Sequence, residues 1–84
     1  MTPLSTAPTV LIRAARGSDG TALDRLAKLD SAHVPAGELL VAETDGALVA
    51  AHAPATGATI ADPFRHTAQV VELLELRGSL LRAA

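Results

Sequence analysis

The chain has 84 residues, enough for one domain and a small one. At 49% apolar and 19% charged it is too hydrophobic for a disordered tail, and the absence of cysteine excludes disulfides, thiolate zinc sites and cysteine nucleophiles. A net charge of −2, scattered basic residues and Phe64 as the single Phe, Tyr or Trp argue against a nucleic-acid surface held by phosphate contacts or base stacking.

Eighteen alanines and thirteen leucines make a core of small methyl groups, with little area gained per residue buried. The N-terminus, Met1 to Pro8, has no basic segment and carries two prolines, unlike a signal helix. The longest apolar stretch, Ala47 to Ala51, is far below the roughly 18–20 residues needed to span a bilayer. The expectation is a cytoplasmic protein that does not enter a membrane.

Residues 1–8 read as a flexible leader rich in Pro, Ser and Thr, followed by one domain over residues 9–84. Thr9 to Ala14 is a short β-branched run and predicts the first strand. Arg16 to Gly20 is a turn into a helix, with Ser18 as N-cap and Asp19 favourable in the first turn. The helical pattern runs to about Ala32, with Ala22, Leu26, Leu29 and His33 on one stripe, flanked by Leu23 and Ala27. Asp30 breaks that apolar arc.

Pro35-Ala36-Gly37 ends the element. Glu38 to Thr44 and Ala47 to Ala53 then flank Asp45-Gly46, a strong hairpin signal because both turn residues need φ > 0. A two-residue loop pairs Thr44 with Ala47, Glu43 with Leu48, Val41 with Ala50 and Leu39 with His52. One face then carries Leu40, Ala42, Val49 and Ala51, and the other Leu39, Val41, Leu48 and Ala50. Both are apolar, so the sheet is covered on both sides. A second turn at Pro54 to Gly57 leads to a short strand, Ala58 to Ala61, that stops at Asp62-Pro63.

The last helix starts near Thr67 as N-cap and runs to about Arg82. Val70, Leu73, Leu74, Leu80 and Leu81 share one arc, with Leu76 at its edge and Arg77 near its middle. Gly78 costs that helix about 1 kcal/mol relative to alanine, but the helix continues past it. The order β-α-β-β-β-α predicts an α/β fold: a mainly antiparallel four-stranded sheet with a helix on each face.

Ile12-Arg13-Ala14-Ala15 with Asp19 and Leu23, and then Leu40 to Ala50 through the Asp45-Gly46 hairpin, resemble the N-terminal half of the GNAT superfamily, the acyl-CoA-dependent N-acetyltransferases. The match covers roughly residues 10–76. The resemblance implies that the loop after the fourth strand is the place where backbone N–H groups hold the CoA pyrophosphate. Here that stretch is Ile60 to Val70, which puts Arg65, His66 and Thr67 at the cofactor position. His66, Ala68 and Val70 stand where the motif has glycines, each adding a Cβ where the backbone must approach phosphate. What the resemblance implies is therefore a truncated GNAT-like half-fold with an altered cofactor loop. No bound cofactor is expected, with acetyl-CoA as the possible one.

Other candidate groups point weakly to chemistry. His33, His52 and His66 lack metal-ligand spacing, so no metal is expected. Asp30, Ser31 and His33 are neighbours in one helical turn that point in different directions. Glu43 and His52 are read onto one sheet face but roughly 13 Å apart, too far for direct proton transfer. Asp30 and Arg77 are read as core-margin charges that reach water, or as half of an ion pair such as Arg13 with Asp30. No catalytic residue is assigned. The functional expectation is a non-catalytic interaction module, a homodimer or one docked on a protein partner. The alternative is an acyl-CoA binder or N-acetyltransferase whose site a second subunit completes. Either the last strand's free edge or the leucine-rich last helix would make the dimer contact.

Overall fold

The computed structural model describes residues 10–83, and the expected leader over residues 1–8 lies outside them. In chain order the elements are β1 (Val10–Ala14), a 3-10 turn (Gly17–Asp19), α1 (Gly20–Leu29), β2 (Leu40–Thr44), β3 (Ala47–His52), β4 (Thr59–Ala61) and α2 (Ala68–Ala83). The strands form one antiparallel sheet in the order β1-β2-β3-β4. α1 packs over β3 and β4, and α2 packs over β2 and β3. This is the α/β architecture that the sequence predicts, with a helix on each face.

The hairpin turn is where it was expected. Asp45 (φ 52°) and Gly46 (φ 84°) both take the positive φ of a two-residue turn. Thr44 pairs with Ala47 and Glu43 with Leu48, as the turn dictates. Beyond them the register slips: Ala42 pairs with Ala50, Val41 with Ala51 and Leu40 with His52. Val49 is the extra residue of a β-bulge, and it corrects the expected pairing by one position.

The bulge re-sorts the core. Val49 and Ala50 both join Leu40, Ala42, Val70 and Leu74 under α2. Ala51 moves to the opposite face, with Leu39, Val41, Ala53, Ile60 and the α1 residues Leu23, Leu26 and Ala27. Strict alternation puts Ala50 and Ala51 on the wrong faces, because period-2 logic holds only while every residue has a partner.

Both ends of α1 differ from expectation. Ser18 is not its N-cap. Gly17–Asp19 instead forms a separate 3-10 turn, in which the Asp19 carboxylate accepts the Arg16 N–H at 2.7 Å. The helix stops at Leu29, about three residues early, on a complete C-terminal cap. Ser31 N–H donates to the Lys28 carbonyl and Ala32 N–H to the Ala27 carbonyl, with Ser31 at φ 52°. A left-handed cap normally signals itself by glycine, and here serine holds the position. His33 therefore lies beyond the helix and is exposed.

Candidate functional site

The segment joining β4 to α2 carries the residues expected at a cofactor position. Asp62, buried, builds the turn: its Oδ1 accepts the Phe64 N–H at 2.8 Å and its carbonyl accepts the Arg65 N–H at 3.3 Å. The Asp62 N–H in turn donates to the carbonyl of the bulge residue Val49 at 2.9 Å, tying the loop to β3. Thr67 is the N-cap as expected, its carbonyl accepting the Val71 N–H at 2.8 Å. Arg65, His66 and Thr67 thus stand side by side at the start of a 16-residue helix.

A cleft of about 340 Å³ opens there, lined by Val10, Thr44 and Val49 of the sheet, by Val70 of α2 and by Phe64 to Thr67 of the loop. Its walls are mostly apolar, with one basic side chain at the mouth. Arg65 is half-exposed and its Nε sits 3.6 Å from Asp62 Oδ2, which partly neutralises it. Phe64 is 80% exposed, so the single large ring of the chain projects into solvent from a hydrogen-bonded turn.

The best-built polar cluster lies on the opposite face and escaped the sequence reading. Arg13 on β1 donates from both terminal nitrogens to Asp19, at 2.8 and 2.9 Å, and from Nε to Glu43 on β2 at 2.6 Å. The Arg13 guanidinium, helped by the Arg16 N–H, holds the Asp19 carboxyl well below the usual carboxylate range. The two carboxylates raise the Arg13 pKa further in return. A carboxylate held so firmly ionised is a poor proton acceptor near neutrality. The cluster ties β1, the 3-10 turn and β2 together, and it takes the arginine that had been offered to Asp30. Only the β1–β2 register brings Arg13 near Glu43, and with α1 intervening no local signal in the sequence gives that register.

Asp30 has a different partner. Its Oδ2 accepts the N–H of Ala61 at 3.1 Å, on the outer edge of β4. The carboxylate therefore occupies a donor on the edge strand that had been read as unguarded. Glu43 and His52 do not share a face after all. Glu43 joins Arg13 on the α1 side, while the bulge turns the His52 ring under α2. His52 is buried, its Nδ1 2.8 Å from Thr59 Oγ1. His33, His52 and His66 lie on a loop, a strand and the segment before α2.

α2 meets the sheet on a narrower strip than its leucines suggest. Val70, Leu74 and Gly78 are buried, spaced four residues apart along one face. Gly78 is the unexpected member: a Cβ there would lie 2.7 Å from the His52 ring, so only glycine lets the helix come this close. That approach turns Leu73 (48% exposed), Leu76 (58%) and Leu80 (60%) outward, while Leu81 stays on the sheet side, half-exposed beside Leu39, Leu40 and Pro54. Arg77 is exposed among them, not part of a buried arc. On α1, by contrast, no large apolar side chain is exposed.

No family model matches the chain, and neither a curated protein nor a solved structure matches it. No helix among the described residues is long and apolar enough to cross a membrane.

Proposed function

We propose that this protein is a small, non-catalytic interaction module of the cytoplasm, a GNAT-like half-fold that works by docking α2 against another protein surface. The observation that carries the reading is the row of outward leucines on α2, Leu73, Leu76 and Leu80, in a chain whose other helix exposes no large apolar side chain. Contiguous exposed apolar residues on a small domain mark interaction surfaces. The exposed Phe64 adds an aromatic anchor of the kind that dominates binding energy when buried by a partner.

A second reading, an acyl-CoA binder or N-acetyltransferase completed by a second subunit, draws on the cleft beside Arg65, His66 and Thr67. That cleft sits at a helix N-terminus, where free N–H groups and the dipole favour an anion such as a pyrophosphate.

Two measurements separate the readings. At a concentration where the chain is single, Leu76→Glu with Leu80→Glu should leave the melting temperature within about 3 °C of the parent, since exposed positions contribute little to stability. The same change should abolish binding of a dye that fluoresces on apolar surface. Dye binding that survives the substitutions would overturn the α2 reading. In parallel, the melting temperature should not respond to acetyl-CoA or CoA. A saturable rise, lost in Arg65→Ala, would replace the module by the acyl-CoA binder.

A further inference from the structure

We propose that the partner of α2 is a second copy of this chain, joined by a parallel, two-fold helix pair along the seam Gln69, Leu73, Leu76 and Leu80. This rests on the reading of α2 as a docking face and goes beyond it by naming the occupant and the orientation.

The spacing of the exposed residues carries the first half. Gln69, Leu73, Leu76 and Leu80 are all exposed and follow one another at intervals of 4, 3 and 4. That is the a/d pattern of a two-stranded coiled coil, with leucines in three of the four seam positions. It is a different stripe from Val70, Leu74 and Gly78, which advance by fours and face the sheet. One helix thus has two apolar strips, one filled by its own domain and the other bare. A second α2 presents the same strip and so supplies a surface of matching period, as a two-fold contact requires.

The charges beside the seam carry the second half. Glu72 precedes Leu73 and Arg77 follows Leu76, so they occupy the g and e flanks of the heptad. In a parallel pair a g residue faces the e residue five positions later on the partner. Glu72 of each copy then meets Arg77 of the other, twice by symmetry. In an antiparallel pair g faces g and e faces e, and the two residues never meet. Neither residue takes part in an ion pair among the described residues, so both remain available. The other surface offered for self-association, the edge of β4, is only three residues long and has the Asp30 carboxylate on its Ala61 N–H. A strand from a second copy would have to displace that carboxylate, whereas nothing need move at α2.

Sedimentation equilibrium over about 1–500 μM at low salt, where exposed charges are least screened, tests this directly. The mass should climb from 8.5 kDa toward twice that value. Glu72→Arg alone, or Arg77→Glu alone, sets like charges opposite each other and should weaken association at least about tenfold. Mixing the two single variants should restore it by forming the mixed dimer, and the double reversal Glu72→Arg with Arg77→Glu should restore the symmetric one. Thermal melts at the lowest concentration confirm that each variant is folded. A chain that stays at 8.5 kDa throughout overturns the proposal. So does a dimer that ignores both reversals. Either outcome leaves the wider reading of α2 to the dye and acetyl-CoA measurements, which are made where the chain is single.

Discussion

The two helices cover the two faces of the same sheet, and they do so differently. α1 is ten residues long and buries Leu23, Leu26 and Ala27 in one cluster with the sheet. Its start is tied down by the Arg13, Asp19 and Glu43 contacts and its end by the Ser31 cap and the reach of Asp30 to β4. α2 is 16 residues long, yet it commits only Val70, Leu74 and Gly78 fully to the interior. The shorter helix is fastened at both ends and has no apolar surface to spare. The longer one carries more leucine than its own fold uses. Apolar content alone therefore does not locate the core; what locates it is how closely the backbone can approach.

That contrast can be broken or sharpened by substitution. The largest effect should come from the hairpin that both helices cover. Asp45→Pro cannot adopt the φ of 52° seen there, because proline is fixed near −65°. The expected outcome is loss of cooperative thermal unfolding, with both faces lost together. A parent-like melt would mean that the turn does not organise the sheet.

Next comes a direct comparison of the two helices. Leu26→Ala on α1 removes a side chain that is 2% exposed and should cost about 2–5 kcal/mol in urea unfolding. Leu76→Ala on α2, measured at a concentration where the chain is single, should fall within about 0.5 kcal/mol of the parent. Equal losses at the two sites would erase the distinction.

Gly78→Ala should be destabilising by about 1–3 kcal/mol, although alanine is the better helix former. The added Cβ meets a buried ring whose Nδ1 is held by Thr59, so the ring is not free to swing away. In combination with His52→Ala the penalty of Gly78→Ala should shrink or change sign, a coupling that a double-mutant cycle reads out. Additive effects would show that the helix does not rest on the histidine.

The smallest effect is one of pH. Folding lowers the Asp19 pKa, so the unfolded chain binds more protons in acid. The contribution of the Arg13 and Asp19 pair is therefore complete above the ordinary carboxylate value of about 4 and fades as pH falls through the lower folded value. Asp19→Asn should narrow the gap in stability between pH 7 and pH 3 relative to the parent. An unchanged gap would take Asp19 out of the acid response.

Local chemistry in the sequence settled the order of elements, the Asp45-Gly46 turn, the Thr67 cap and the need to cover both sheet faces. Each depends on a few neighbouring residues or on a simple period. The residues named for the site, Arg65, His66 and Thr67, also came out adjacent, because they are consecutive and a helix begins beside them. The tertiary structure decided the rest, and each case involves a partner distant in the chain. The bulge at Val49 arises from how β3 meets β2 and β4, and it alone sorts Ala50 from Ala51. Arg13 reaches Glu43 across 30 residues because the β1–β2 register brings them together, with Asp19 joining from the 3-10 turn, while Asp30 turns instead to β4. The buried side of α2 is fixed by Gly78 over the His52 ring. A residue with no side chain leaves no mark in a hydrophobic pattern, so periodicity assigned the leucines to a core that only the close approach of two backbones could define.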